Sequence, residues 1–216
     1  MRKLPDSDVL KLAARYRIPL AKTLLAKNEK QAALFAKKLY PVVLKIASPD
    51  IVHKVDSGGV LLGIQDEKAL KESFSRIISS AKKRNPKAKI DGILVQQFIQ
   101  NNGTELIIGA KTDPQFGPVV MFGLGGIFVE VMKDVSFRLA PIERKDAQEM
   151  MKEIKGYRIL EGVRGRKPVN IKALEDLLVS VSRMMWSNKK IKELDLNPVF
   201  ADEKKATAVD MRVMVE

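Results

Sequence analysis

From Ile191 to Asn197 the chain reads Ile-Lys-Glu-Leu-Asp-Leu-Asn, and this alternation restricts the fold more than any other stretch. It demands a strand with Glu193, Asp195 and Asn197 on one face and Leu194 and Leu196 on the other. If the residues that follow continue it as an antiparallel hairpin around the four-residue loop Asp202 to Lys205, Phe200 pairs with Thr207. That register sets Asn197 opposite Asp210 and Asp195 opposite Arg212, so oxygen ligands converge on one sheet face. Hard oxygen donors from one or two side chains, completed by water and phosphate, are what Mg²⁺ with a nucleotide requires. The simpler reading of the pattern alone is the exposed outer side of an edge hairpin.

Upstream, helical and strand periods are interleaved. Leu10, Leu12, Ala13 and Ala14 after Asp6-Ser7-Asp8 predict a short helix, and a strand is expected near Ile18 to Leu24. Asn28 caps a helix that ends before Pro41, and the apolar strand Val42 to Ile46 follows. A polar loop, Ala47 to Gly59, leads to a strand at Val60 to Ile64, and Asp66 begins a helix to about Lys83. Strands are then expected at Ile90 to Ile99, Glu105 to Lys111, Val119 to Gly123 and Ser136 to Leu139. Helices follow at Glu143 to Lys155 and Ile171 to Asn188, with Gly156 to Val169 as an exposed, mobile loop. The class is α+β, with a hinge near Gln96 to Asn102.

Composition narrows the chemistry. The 216 residues contain no Cys and one His, which excludes a disulfide scaffold, a Cys-ligated metal, a thiol nucleophile and a His-rich metal cluster. The longest uncharged stretch, Pro114 to Val129, falls short of the ~18 residues of a spanning helix and is broken by glycine and proline. Met1-Arg2-Lys3 meets Pro5, Asp6 and Asp8 before any apolar run, so no membrane association is expected and the expected location is cytoplasmic. A formal charge of +13 invites a nucleic-acid reading, but the basic residues are dispersed and aromatic content is 6%. A solvated basic surface, or attraction of small polyanions, fits better.

Three further features bear on chemistry. Lys45 lies on the strand face opposite Val42, Leu44 and Ile46, where a buried cation needs an anionic partner such as phosphate. The loop from Ser48 through His53-Lys54 to Ser57-Gly58-Gly59 offers backbone N–H groups to phosphate oxygens, although a Gly-Gly pair serves equally as a turn. His53 can act as a phosphoryl acceptor, with Lys54 favouring the phosphorylated product. The cluster Gly123-Leu124-Gly125-Gly126 does not match a dinucleotide fingerprint and reads as a tight backbone crossing.

Taken in order, Tyr40-Pro41-Val42-Val43-Leu44-Lys45, Ser48-Pro49-Asp50 through His53-Lys54 to Gly58-Gly59-Val60, and Asp113-Pro114-Gln115-Phe116-Gly117-Pro118-Val119 resemble the ATP-grasp β subunit of ADP-forming acyl-CoA synthetases. So do Phe122-Gly123-Leu124-Gly125-Gly126, Asp134-Val135-Ser136-Phe137-Arg138 and Glu193-Leu194-Asp195-Leu196-Asn197-Pro198. The resemblance covers almost the whole chain and overrides the simpler reading of the hairpin. It implies one ATP-grasp domain over residues 1–216, with an N-terminal lobe to about residue 95, a C-terminal lobe from about residue 96, and the nucleotide held between them. It implies acid–CoA ligation, in which acyl-CoA, ADP and phosphate give acid, CoA and ATP through a phosphohistidine. Mg²⁺ is the implied cofactor and ATP/ADP the substrate. The implied partner is a CoA-binding α subunit in an α2β2 heterotetramer.

Carried onto this sequence, the resemblance makes Lys45 the phosphate-binding lysine, with Ser57, Gly58 and Gly59 in the nucleotide-binding loop. Gln96, Gln97 and Phe98 become the adenine-binding hinge, and Glu105 a nucleotide-contacting carboxylate. Asn197 and Asp210 become the Mg²⁺ ligands, His53 the histidine that relays phosphate, and Arg138 a phosphoryl-binding partner. Gln96-Gln97 departs from the acidic residue that related grasp enzymes often carry there. A subunit of a succinyl-CoA-synthetase-like ligase and a non-catalytic nucleotide-sensing subunit are the alternatives.

Overall fold

A computed structural model describes residues 1–51, 54–55, 57–100, 103–126, 131–163, 165 and 167–216. They group into two compact units, one of residues 3–10 and 21–99, the other of residues 1–2, 11–20 and 100–216.

The smaller unit is a four-stranded antiparallel sheet backed by two helices. Its strands are β2 (Thr23–Ala26), β3 (Val42–Ala47), β4 (Val60–Ile64) and β5 (Gly92–Gln97), in the order β2-β5-β3-β4. The helices α2 (Glu29–Ala36) and α3 (Glu67–Arg84) start where Asn28 and Asp66 accept the N–H groups of Gln31 and Ala69. Val42, Leu44 and Ile46 point into a core with Ile93, Leu70 and Ile77, all fully buried. Burying each such side chain contributes roughly 1.5–3 kcal/mol. The alternate residues of β3, Val43 and Lys45, therefore occupy the other sheet face, as the sequence period required.

The larger unit is a seven-stranded sheet ordered β1-β11-β9-β6-β7-β8, with β10 also paired to β9. Its strands are β1 (Arg2–Lys3), β6 (Thr104–Asp113), β7 (Gly117–Leu124), β8 (Val135–Leu139), β9 (Ile191–Ala201), β10 (Ala206–Ala208) and β11 (Met211–Val215). Helices α4 (Arg144–Glu153), α5 (Tyr157–Leu160) and α6 (Ile171–Ser187) belong to the same unit. Leu174, Leu177, Leu178, Val181, Met184 and Met185 recur at helical spacing along α6 and are all buried. They cover the sheet face that carries Ile108, Val120, Phe122, Leu194 and Leu196.

Three local expectations shift. The first predicted strand forms later, at Thr23–Ala26, while Ile18 is buried and Leu20 bridges to Ala208. Within the predicted exposed loop 156–169, Tyr157–Leu160 makes a helical turn that buries Leu160 completely, because an apolar residue there can reach the core. The closing hairpin is internal to the sheet, with β11 between β1 and β9 and β9 between β11 and β6.

Helix α1 (Asp6–Arg15) ends in the larger unit with the N–H of Ile18 bonded to Ala13 O and that of Arg17 to Ala14 O. This termination asks for a left-handed residue, and Arg17 supplies it with φ 55°. A side chain there costs about 1 kcal/mol against glycine. Arg17→Gly is expected to raise the denaturant midpoint by an amount worth up to about 1 kcal/mol in urea unfolding.

Candidate functional site

The polar face of the larger unit's sheet follows from one register. Asp195 pairs with Arg212 and Leu196 with Met211, and beyond the turn Phe200 pairs with Thr207. Continuing that register across the two residues between the segments sets Asn197 opposite Asp210, and Val209 N–H donates to Pro198 O there. Gly109 of β6 stands across from Asp195 on the other side, Met121 across from Gly109, and Phe137 across from Met121. These residues therefore share the face left uncovered by α6. A concavity of about 460 Å³ opens on it, lined by Gly109, Met121, Phe137, Asp195 and Arg212 among others.

Its electrostatics are set by three close groups. Burial raises the Asp195 carboxyl above the usual aspartate range, Arg212 partly opposes the shift with Nη2 at 3.8 Å, and the charge of Asp210 reinforces it. Asp210 Oδ1 accepts the N–H of Met211 at 3.1 Å, which fixes its side chain. An amide oxygen and a carboxylate facing each other across two strands form a hard-donor pair that suits Mg²⁺ alongside phosphate oxygens. Among the described residues no group of three or more His, Asp or Glu side chains could hold a metal ion. Asp195 was read from sequence as a partner of Arg212; its burial needed the neighbouring strands.

Glu105 lies on the same side of β6 as Gly109, two alternations away. The glycine cluster crosses it closely: Gly125 N–H donates to Glu105 O at 2.8 Å, and a Cβ at Gly125 would stand 2.9 Å from Glu105 Cγ. The tight-crossing reading of that cluster therefore holds, and its reason is room for Glu105.

The structure does not bring Arg138 to the polar face. Arg138 pairs with Val120 and Val120 with Ala110, on the opposite face, which α4 covers. Its guanidinium binds the carboxylate of Glu153, Nη1 to Oε2 at 2.8 Å, and this hydrogen bond holds Glu153 below the usual glutamate range. The phosphoryl-binding role expected of Arg138 is corrected accordingly, since strand parity puts an intervening sheet between it and Asn197.

In the smaller unit, Lys45 is buried at 7% exposure, with Leu94 and Val60 on either side of it. Gln96 shares this sheet face and donates to Thr23 Oγ1 at 2.9 Å. The N–H groups of Gln97 and Phe98 are taken by Lys22 O and Pro41 O, so this hinge offers carbonyls and the half-exposed Phe98 ring rather than those two donors.

The Ser57-Gly58-Gly59 loop is also differently used than expected. Gly58 N–H donates to Val55 O, Gly59 N–H to Lys54 O and Ser57 Oγ to Lys54 O, so these amides close a turn instead of cradling phosphate. Gly59 is required by contact, because a Cβ would fall 2.4 Å from Ile46 Cγ2. Lys54 is buried and its ammonium lies 3.2 Å from Asp6 Oδ1, which Lys3 also approaches at 3.3 Å. That cation is committed to Asp6, correcting the expectation that it steadies a phosphorylated neighbour. His53 itself lies outside the described residues. The Asp6 pairing was missed because it joins segments nearly fifty positions apart, and Asp6 reads from sequence as a helix-start residue.

A profile of the ATP-grasp domain matches residues 1–215. The chain belongs to the ATP-grasp family. The β subunit of the ADP-forming acetate–CoA ligase I of Pyrococcus furiosus is 46% identical to this ATP-grasp domain over 215 residues, which is 99% of this chain and 92% of that subunit. The ADP-forming 4-hydroxybutyrate–CoA ligase of Nitrosopumilus maritimus is 50% identical over 190 residues, and this domain spans 27% of that longer protein. Among solved structures, acetyl-coenzyme A synthetase 1 of Ca. Korarchaeum cryptofilum with coenzyme A and Ca-AMPCP gives a TM-score of 0.94 at 45% identity, covering 100% of this chain and 94% of the other. A second structure of that enzyme holds coenzyme A and Mg-AMPPCP with its phosphohistidine segment pointing towards the nucleotide binding site; it gives a TM-score of 0.86 at 41% identity, covering 100% and 93%. Within the ATP-grasp family, this domain is therefore a member of the ADP-forming acetate–CoA ligase β-subunit group.

Proposed function

We propose that this ATP-grasp domain is the nucleotide-binding β subunit of an ADP-forming acyl-CoA synthetase and passes phosphate between a phosphohistidine and ADP. The observation that carries the reading is the continuous hairpin register setting Asn197 opposite Asp210, in a chain matching a separate acetate–CoA ligase β subunit over nearly its full length. Asn197 and Asp210 would hold Mg²⁺, which supplies charge neutralisation at the phosphate oxygens. Lys45 contributes a fixed cation to the phosphates, and the carbonyls around Gln96 to Phe98 receive the adenine. Glu105 contacts the nucleotide.

His53 takes the phosphoryl group from a phosphohistidine of a CoA-binding α subunit. One P–N bond breaks as another forms, and the group then moves to the β-phosphate oxygen of ADP to give ATP. Relatives of similar identity are named for acetate and for 4-hydroxybutyrate, which fits selection of the acid on that other module. The assembly is an α2β2 heterotetramer in the cytoplasm. Incubated with its α subunit and Mg·[γ-³²P]ATP, the chain is expected to gain an acid-labile, base-stable label. His53→Ala is expected to lose that label and nearly all turnover while binding ADP as the parent does; full turnover in that variant would refute the relay.

A further inference from the structure

The larger unit contains a second concavity, of about 940 Å³, whose exposed cations come from three segments far apart in sequence. The end of α1 contributes Arg15 and Arg17, α6 contributes Arg183, and the β9–β10 turn contributes Lys204 and Lys205. Arg144 enters from α4 and is already paired with Glu175 and Asp176. Among the described residues Asp176 is the single carboxylate in the lining, and Arg144 holds it. The nearby carboxylate of Asp202 is turned inward onto the backbone N–H groups of Lys204 and Lys205, at 2.8 and 2.9 Å. Arg15 stacks over the Tyr16 ring at 5.7 Å from its centre. None of Arg15, Arg17, Arg183, Lys204 and Lys205 forms an ion pair among the described residues, and all five are exposed.

Like charges gathered in a cleft repel one another, so the arrangement stands at a cost to stability that an external anion relieves. The walls are nevertheless held together. Asn188 Nδ2 donates to the Tyr16 hydroxyl at 2.8 Å, Ala208 N–H to Pro19 O at 2.8 Å, and Asn170 Nδ2 to Lys204 O at 2.9 Å. Each of these bonds joins two of the three cationic segments or fixes one to an end of α6. Arg17 adds a separate sign, because a large cationic side chain is kept where the backbone favours glycine. The cleft lies on the helix-covered side of the sheet, away from the face of Asp195 and Asn197.

We propose that this cleft seats an acidic segment of a protein partner. The cations come from separate walls of a cleft of about 940 Å³, room that matches several carboxylates on an extended chain better than one phosphate group. Three of the five are arginines, whose planar forks pair bidentately with carboxylates. The Tyr16 ring in the lining has its hydroxyl tied to Asn188 and carries Arg15 on its face, so it gives no open platform for a stacked base.

The test uses the full chain and fluorescence anisotropy of a fluorescein-labelled octaglutamate peptide, with sodium tripolyphosphate and a 20-base-pair duplex as competitors. The charge reversal Arg183→Glu with Lys204→Glu is expected to weaken peptide binding by about tenfold or more. An equal reversal on α3, Lys82→Glu with Lys83→Glu, is expected to change it less than about twofold. Neither pair should lower the melting temperature, and both should keep the parental Mg·ADP affinity. Equal weakening by the two pairs, no saturable peptide binding, or tighter binding of tripolyphosphate or duplex than of peptide would each overturn the proposal. Failure of the parent to bind Mg·ADP would refute the functional reading and leave the cleft result standing.

Discussion

Asp210→Asn and Asn197→Leu are expected to melt near the parental temperature without nucleotide and to lose the stabilisation that Mg·ADP gives the parent. Both residues lie on the polar sheet face, Asn197 exposed and Asp210 partly so, and neither joins the core under α6. Their removal therefore leaves no cavity and no buried unpaired group, which keeps the apo protein intact. Ligand-dependent stability is another matter. A nucleotide present at one hundred times its Kd adds about 2.7 kcal/mol, and that gain falls with affinity. Asp210→Asn keeps the size and an oxygen donor while removing a charge, whereas Asn197→Leu removes the donor. Because phosphoryl transfer depends on positioning and charge neutralisation, ATP formation with the α subunit should fall about a hundredfold or more in either variant. Differential scanning fluorimetry across a Mg²⁺ titration, read beside the coupled rate, checks both halves. Parental titration and rate in either variant would show that the hairpin pair holds no metal.

Asp6→Ala is expected to cost roughly 3 kcal/mol, the largest stability loss of any single polar substitution in the smaller unit. Asp6 is buried at 9% exposure and receives two ammonium groups, Lys54 at 3.2 Å and Lys3 at 3.3 Å. Taking the carboxylate away leaves two cations in a site that water reaches poorly, and Lys3 then has the Ser48 carbonyl at 3.3 Å to turn to while Lys54 has lost its anion. Lys54→Met should cost less, because Asp6 keeps Lys3. Urea unfolding distinguishes the two, and equal losses would mean that the Lys3 contact contributes nothing.

What was legible in the sequence depended on range. The alternation at Ile191–Asn197 and the four-residue turn together determine a register, because parity and loop length are both local. Asn28 and Asp66 announced their helices for the same reason, each bonding an amide three residues away. Arg138 shows the limit: its strand was placed correctly, but the face it occupies is decided by pairing to Val120, a relation between strands that no local pattern carries. The amides of Gly58 and Gly59 were offered to phosphate on composition, and the turn that consumes them depends on where the carbonyls of Lys54 and Val55 fall. The cationic cleft was invisible for a related reason, since dispersed basic residues look like a solvated surface until the fold gathers them.

The Leu20–Ala208 bridge joins positions made roughly 190 residues apart, a separation of the kind that slows folding. On the ribosome, the smaller unit's strands are all available once residue 97 has emerged, so most of that unit can form early. The larger unit must wait: residues 11–20 cannot take their place until β10 has been synthesised, and Ala13 and Ile18, both buried at the end, stay uncovered until then. Residues 11–20 are thus among the last parts of this unit to be docked, and the interval in which they are exposed to chaperones, or to a second nascent copy, is set by the time needed to translate the roughly 190 residues up to Ala208.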